Sequence, residues 1–146
     1  AWSDAGDDHR SAVLHAVVAR ADARHRLAEL DFGGGTLLAA ASDLVVGAAV
    51  RVRVPAREVI LATHRPEGIS LHNVVPGTVV AIHVDPAFAH VIVQIAVGSA
   101  LLLAEVTEDT IARLGIAVGG AIYALIKSVS IDVLPVPETP APQGAS

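Results

Sequence analysis

The 146-residue chain contains a single lysine, Lys127, which ends the apolar run Tyr123-Ala124-Leu125-Ile126 and directly precedes Ser128. Taken alone, a strand-end lysine simply reaches solvent. Two other polar groups in the same half of the chain change that reading. Gly68-Ile69-Ser70-Leu71-His72-Asn73 opens this half, and Thr107-Glu108-Asp109 has the form of a helix N-cap followed by early acids. Free N–H groups at a helix start attract anions, and a lysine with hydroxyls completes the hydrogen-bond shell. The set has donors in surplus and no catalytic base. Its chemistry is retention of a tetrahedral oxyanion without reaction.

Other candidate groups read as structural. Gly33-Gly34-Gly35 is followed by Thr36-Leu37-Leu38 and not by the Gly-Lys-Ser/Thr and helix of a phosphate loop, so a hairpin turn is expected. His83 and His90 flank Val84-Asp85-Pro86-Ala87-Phe88-Ala89, and a hairpin could face them, but two imidazoles without a third ligand make a poor zinc site. His9, His15, His25 and His64 show no ligand spacing, and no Ser/His/Asp elbow is present. Arg51, Arg53 and Arg57 are expected to alternate along a solvated strand face. Catalysis by this segment is not expected.

Composition narrows the field further. The chain is 53% hydrophobic and 17% charged, enough to bury a core and too apolar for long-range disorder. It has no cysteine, hence no disulfide framework or thiolate site. A net charge of −5 with one Trp, one Tyr and two Phe is the reverse of a nucleic-acid-binding surface. The apolar stretch from Val91 to Ala104 is broken by Gln94, Gly98 and Ser99, well short of the ~20 residues of a spanning helix. The opening AWSDAGDDHR is polar and acidic, unlike a signal peptide. A start at Ala1 and the absence of methionine read as a segment of a longer protein.

The elements that must position the polar set are mostly strands. Short Val/Ile runs separated by Gly, Pro and Asp predict strands at 12–20, 26–32, 35–41, 48–54, 57–62, 72–84, 89–97, 100–106, 120–127 and 129–134. One short helix follows Thr107, with Ile111 and Leu114 as its apolar face and Gly115 as its stop. Internal similarity divides the chain in two. Val17-Val18-Ala19 matches Val79-Val80-Ala81 at an offset of 62, Glu29 to Gly33 matches Gln94 to Gly98 at 65, and Gly47 with its following strand matches Gly119 at 72. The expected fold is all-β with one short helix, as two tandem OB-like β-barrel modules. The expected boundaries are an N-terminal extension at 1–10, a first module at 11–63, a second at 69–134, and a Pro-rich disordered tail at 135–146, with Thr63 to Gly68 as linker.

Over 69–134 the chain resembles the molybdate-binding Mop (TOBE) family. The resemblance lies in Ser70-Leu71-His72-Asn73-Val74-Val75-Pro76-Gly77, in Val106-Thr107-Glu108 ahead of Leu114-Gly115, and in Tyr123-Ala124-Leu125-Ile126-Lys127-Ser128. The family's opening motif is typically Ser-Ala-Arg-Asn, so Ser70 and Asn73 agree while His72 replaces a permanently charged fork with an imidazole. The preceding module, with Phe32 to Gly35 and Arg51 to Val59, is similar to the region ahead of the terminal Mop module in ATPase subunits of molybdate ABC importers.

The resemblance implies molybdate or tungstate bound at an interface of paired modules, with Ser70, His72, Asn73, Thr107, Lys127 and Ser128 as the oxyanion-binding set. It implies a homodimer, an ABC ATPase domain and membrane permease subunits as partners in the parent complex, a position at the cytoplasmic face of the membrane, and trans-inhibition of uptake. No Walker or ABC signature motif is present, so neither nucleotide binding nor catalysis is expected of this segment. One alternative is a molbindin-like storage protein, against which stands Pro55-Ala56-Arg57 at the place of Lys127-Ser128-Val129. Another is a β-barrel dimerisation module with a decayed anion site.

Overall fold

The computed structural model describes residues 10–87 and 89–136. Residues 1–9 of the expected N-terminal extension, Phe88, and the expected tail beyond Val136 lie outside the described residues. The strands are β1 (Ser11–Asp22), β2 (Leu27–Asp31), β3 (Thr36–Ala40), β4 (Ala49–Pro55), β5 (Ile60–Ala62), β6 (Asn73–Asp85), β7 (His90–Val97), β8 (Ala100–Thr107), β9 (Ala121–Ile126) and β10 (Asp132–Pro135). One helix, α1 (Glu108–Leu114), follows β8. Its start is capped by the Thr107 hydroxyl, which accepts from Thr110 N–H, and its end by Gly115 in the left-handed region.

The alternation Ala12, Leu14, Ala16, Val18 on β1 and Val50, Val52, Val54 on β4 is buried, while the residues between them face outward. That period of two builds two antiparallel five-stranded sheets, ordered β10-β4-β1-β2-β3 and β5-β9-β6-β7-β8. The orders are related by an internal two-fold that exchanges β1 with β6 and β4 with β9. A single buried cluster runs through both halves, from Leu14 and Leu30 to Ile95 and Ile126.

Three expectations need correction. The runs at 57–62 and 129–134 are not whole strands. Each begins with a 3-10 turn, Ala56–Glu58 and Ser128–Ser130, and continues as the short strands β5 and β10. Arg57 therefore sits in a turn and off the β4 face that carries Arg51 and Arg53. Next, the short strands change sides: β5 pairs with β9 and β10 pairs with β4, so each sequence module donates its last strand to the other's sheet. Pro135 belongs to β10 and not to a tail. Finally, the repeat offset at β1 is 61 and not 62. Bulges after Val18 and Val79 set Val18 opposite Leu30 and Val79 opposite Ile95.

Two hairpin turns meet where the halves touch. Gly98 (φ +62) lies so near Gly34 that a Cβ would stand 2.7 Å from the Gly34 Cα, and a Cβ on Gly34 would overlap the Val97 carbonyl oxygen. On the far β1–β2 turn, a hydrogen bond with the His25 side chain holds the Asp22 carboxyl below its ordinary range.

Candidate functional site

The long strand β6 begins at Asn73, paired with Ile126 at the end of β9. This pairing sets His72 against the residues that follow β9. His72 Nδ1 lies 3.2 Å from the Ser128 hydroxyl across 56 residues of sequence, and Lys127 stands exposed between Ile126 and Ser128. Lys127 leads into the 3-10 turn Ser128–Ser130, and its carbonyl accepts from Ser130 N–H at 3.0 Å. Ser130 in turn donates to Glu58 at 2.9 Å, which joins the two 3-10 turns on the internal two-fold. Ser128 is buried and its hydroxyl is held against the His72 ring, whereas the His72 and Lys127 side chains are exposed. Ser70 is exposed two residues ahead of His72.

Asn73 has a different setting from the rest. It is buried, its Oδ1 accepts from Leu38 N–H at 2.8 Å, and its Nδ2 donates to the carbonyls of Leu38 (2.9 Å) and Ile126 (3.1 Å). The amide thus acts as a short stretch of neighbouring strand for the edge of β3 and clasps the first sheet to the second. Its hydrogen-bonding is engaged by the backbone of Leu38 and Ile126, so Asn73 ties the start of β6 to β3 and to the end of β9. The equivalent residue in the first half is Ala12, which has no such group. Sequence reasoning missed this role because an amide at a strand start has the same letter whether it binds ligand or backbone.

Thr107 is not gathered with the others. It ends β8, on which the 3-10 turn Ala56–Glu58 packs, while the turn carrying Ser128 packs on β3. Among the described residues its hydroxyl engages Thr110 only, at 3.1 and 3.2 Å. The residue at its place beside β3 is Ser42, 65 positions earlier. One chain therefore assembles His72, Lys127 and Ser128, with Ser70 adjacent and Asn73 as support. Elsewhere, His90 Nδ1 pairs with Glu105 at 2.7 Å.

Comparison with known proteins decides the family of this half. Residues 69–133 match the TOBE domain family model. This half of the chain is a TOBE domain. The chain is similar to the molybdenum import ATP-binding protein ModC of Granulibacter bethesdensis, with 41% identity over 131 residues covering 84% of this chain and 35% of that protein. It is 40% identical over 126 residues to ModC of Methylococcus capsulatus, covering 86% of this chain and 35% of that protein. The chain thus spans about a third of the length of these relatives. The fold matches that of the cytoplasmic molybdate-binding protein ModG, solved with molybdate bound, at a TM-score of 0.76 and 24% identity, covering 85% of this chain and 95% of that one. The TOBE half contains every residue of the cluster described above. Among the described residues no helix is long and apolar enough to cross a membrane.

Proposed function

We propose that the chain binds molybdate or tungstate as the regulatory part of an ATP-binding subunit of a molybdate importer. The observation that carries this reading is the His72–Ser128 hydrogen bond, which brings the two ends of the TOBE motif together beside the sole lysine. A dianion there meets the Lys127 ammonium, the Ser128 and Ser70 hydroxyls and the His72 ring, a donor set that favours negative charge and can transform nothing. The names of the ModC relatives and of ModG support molybdate as the class of ligand.

In this reading two chains pair through their TOBE domains, and Thr107 reaches an anion held by the other chain. The parent protein carries the ATPase domain and works at the cytoplasmic face with membrane permease subunits. Trans-inhibition then requires the anion to favour one arrangement of the paired ATPases over the other, by its difference in affinity for the two. Storage is a weaker reading. ModG is covered over 95% of its length, yet in this chain Pro55 and Ala56 stand where the second half has Lys127 and Ser128, so the lysine–serine pair occurs in one half only.

Calorimetric titration with molybdate, tungstate and sulfate tests the proposal. Saturable binding of the first two, near one anion per chain, is expected. Absence of binding, or two equal sites per chain, contradicts it.

A further inference from the structure

We propose that Arg65 and Tyr123 are positioning residues for the oxyanion, because their contact fixes the course of the connection that carries Ser70 and His72. The inference rests on the oxyanion reading and adds to it two residues that lie outside the donor set.

The sheet order β5-β9-β6 puts β5 and β6 on opposite sides of β9, so the connection between them has to cross that strand. Strand β5 ends at Ala62, level with Tyr123, and β6 begins at Asn73, level with Ile126, three residues back along β9. Those three residues at ~3.3 Å each and two strand spacings of ~4.8 Å make a direct path of roughly 14 Å. The ten residues 63–72 reach about 33 Å when extended. Length therefore leaves the places of Ser70 and His72 open, and contacts must settle them.

The crossing runs over the outer face of β9. Ile122, Ala124 and Ile126 belong to the core cluster, so Tyr123 and Leu125 point the other way. On that side the Arg65 guanidinium carbon lies 5.9 Å from the centroid of the Tyr123 ring, within the range of a cation–π contact. Leu125 is 6% exposed without being part of the core cluster, so it is covered from outside, and Pro66 and Leu71 of the connection are half-buried. Among the described residues no hydrogen bond or ion pair ties residues 65–71 to the sheet. The next polar anchor is His72 at Ser128. Arg65 over Tyr123 is thus the directional contact that starts the crossing, and Pro66 confines Arg65 to extended backbone. The guanidinium is held roughly 10 Å along β9 from the Ile126 end, so it orients the connection and does not join the donors.

The internal two-fold supplies a control. Tyr123 and Leu125 are related to Arg51 and Arg53, 72 positions earlier, which are exposed on the outer face of β4. Arg53 is engaged there by Asp132 at 2.8 Å. The aromatic platform and the lysine–serine pair therefore occur in the same half and are both missing from the other.

The test titrates tungstate into the full chain and into Arg65→Ala, Tyr123→Leu, their double variant and Tyr123→Phe, with melting curves to show that each is folded. Arg65→Ala and Tyr123→Leu should each weaken binding by roughly two- to fivefold, the worth of an exposed cation–π contact. The double variant should lose no more than either alone, and Tyr123→Phe, which keeps the ring, should restore wild-type affinity. Tyr123→Leu keeps every charge, so its loss cannot come from long-range attraction; Arg65→Ala serves if it fails to fold. In the tungstate-free protein, NMR order parameters at Ser70 and Leu71 should fall toward about 0.6 in these two variants and stay near 0.85, roughly the rigid-backbone value, in Tyr123→Phe. Unchanged affinity, additive losses or unchanged order overturns the proposal. Absence of binding in the wild type overturns the oxyanion reading itself; lowered order in the variants then still upholds the hold of the contact on the connection, and unchanged order overturns that as well.

Discussion

Replacing Asn73 with alanine separates a clasp from a ligand. The substitution removes three hydrogen bonds, to Leu38 N–H (2.8 Å), Leu38 O (2.9 Å) and Ile126 O (3.1 Å), at a side chain only 5% exposed. Each buried polar group left without a partner costs about 1–3 kcal/mol, and because the Leu38 groups are only part-buried the total should come to roughly 2–4 kcal/mol. At ~2–4 °C per kcal/mol for a chain of this size, the melting temperature should fall by about 5–15 °C. Calorimetric melting without oxyanion measures this, and the Leu38 amide should exchange faster in the same variant. If the melting temperature moves by less than about 1 °C while oxyanion binding is lost, Asn73 is a ligand and the clasp is wrong.

Lys127→Ala should weaken oxyanion binding by roughly 10- to 100-fold, the worth of one charge-assisted contact, while melting stays near wild type because the side chain is exposed; titration and melting curves check both parts. His72→Arg should strengthen oxyanion binding at about pH 8, since a guanidinium brings a permanent charge and a fork of donors to the same place. Equal affinity in the two proteins removes His72 from the site. Gly34→Ala drives a methyl group into the Val97 carbonyl and should destabilise by about 1–3 kcal/mol, read as a lower denaturant midpoint with an unchanged slope.

The strand count and the helix at Thr107 were legible because they depend on local pattern: alternation on β1 and β4, a cap, and a glycine stop. The 3-10 turns were not, since Ala56-Arg57-Glu58 and Ser128-Val129-Ser130 continue the apolar spacing of their neighbours and differ only in backbone bonds such as Val59 N–H to Ala56 O. The exchange of β5 and β10 between sheets was invisible for another reason. A three- or four-residue strand has a hydrophobic face but no letter naming its partner, and the choice is made by packing. The same holds for the site. His72, Lys127 and Ser128 converge because Asn73 pairs with Ile126, a register visible as a motif on each side, whereas nothing in the sequence tells that Thr107 ends the strand on which the other 3-10 turn packs.

The most direct measurement is an anomalous difference map from crystals grown with tungstate, recorded at the tungsten absorption edge. The account predicts a peak within hydrogen-bond reach of Lys127 Nζ and Ser128 Oγ, beside His72, and none at the related turn of Pro55 and Ala56. A peak at the Pro55 turn alone, at the Thr107 helix start away from any Lys127, or no peak in crystals shown to bind tungstate contradicts it.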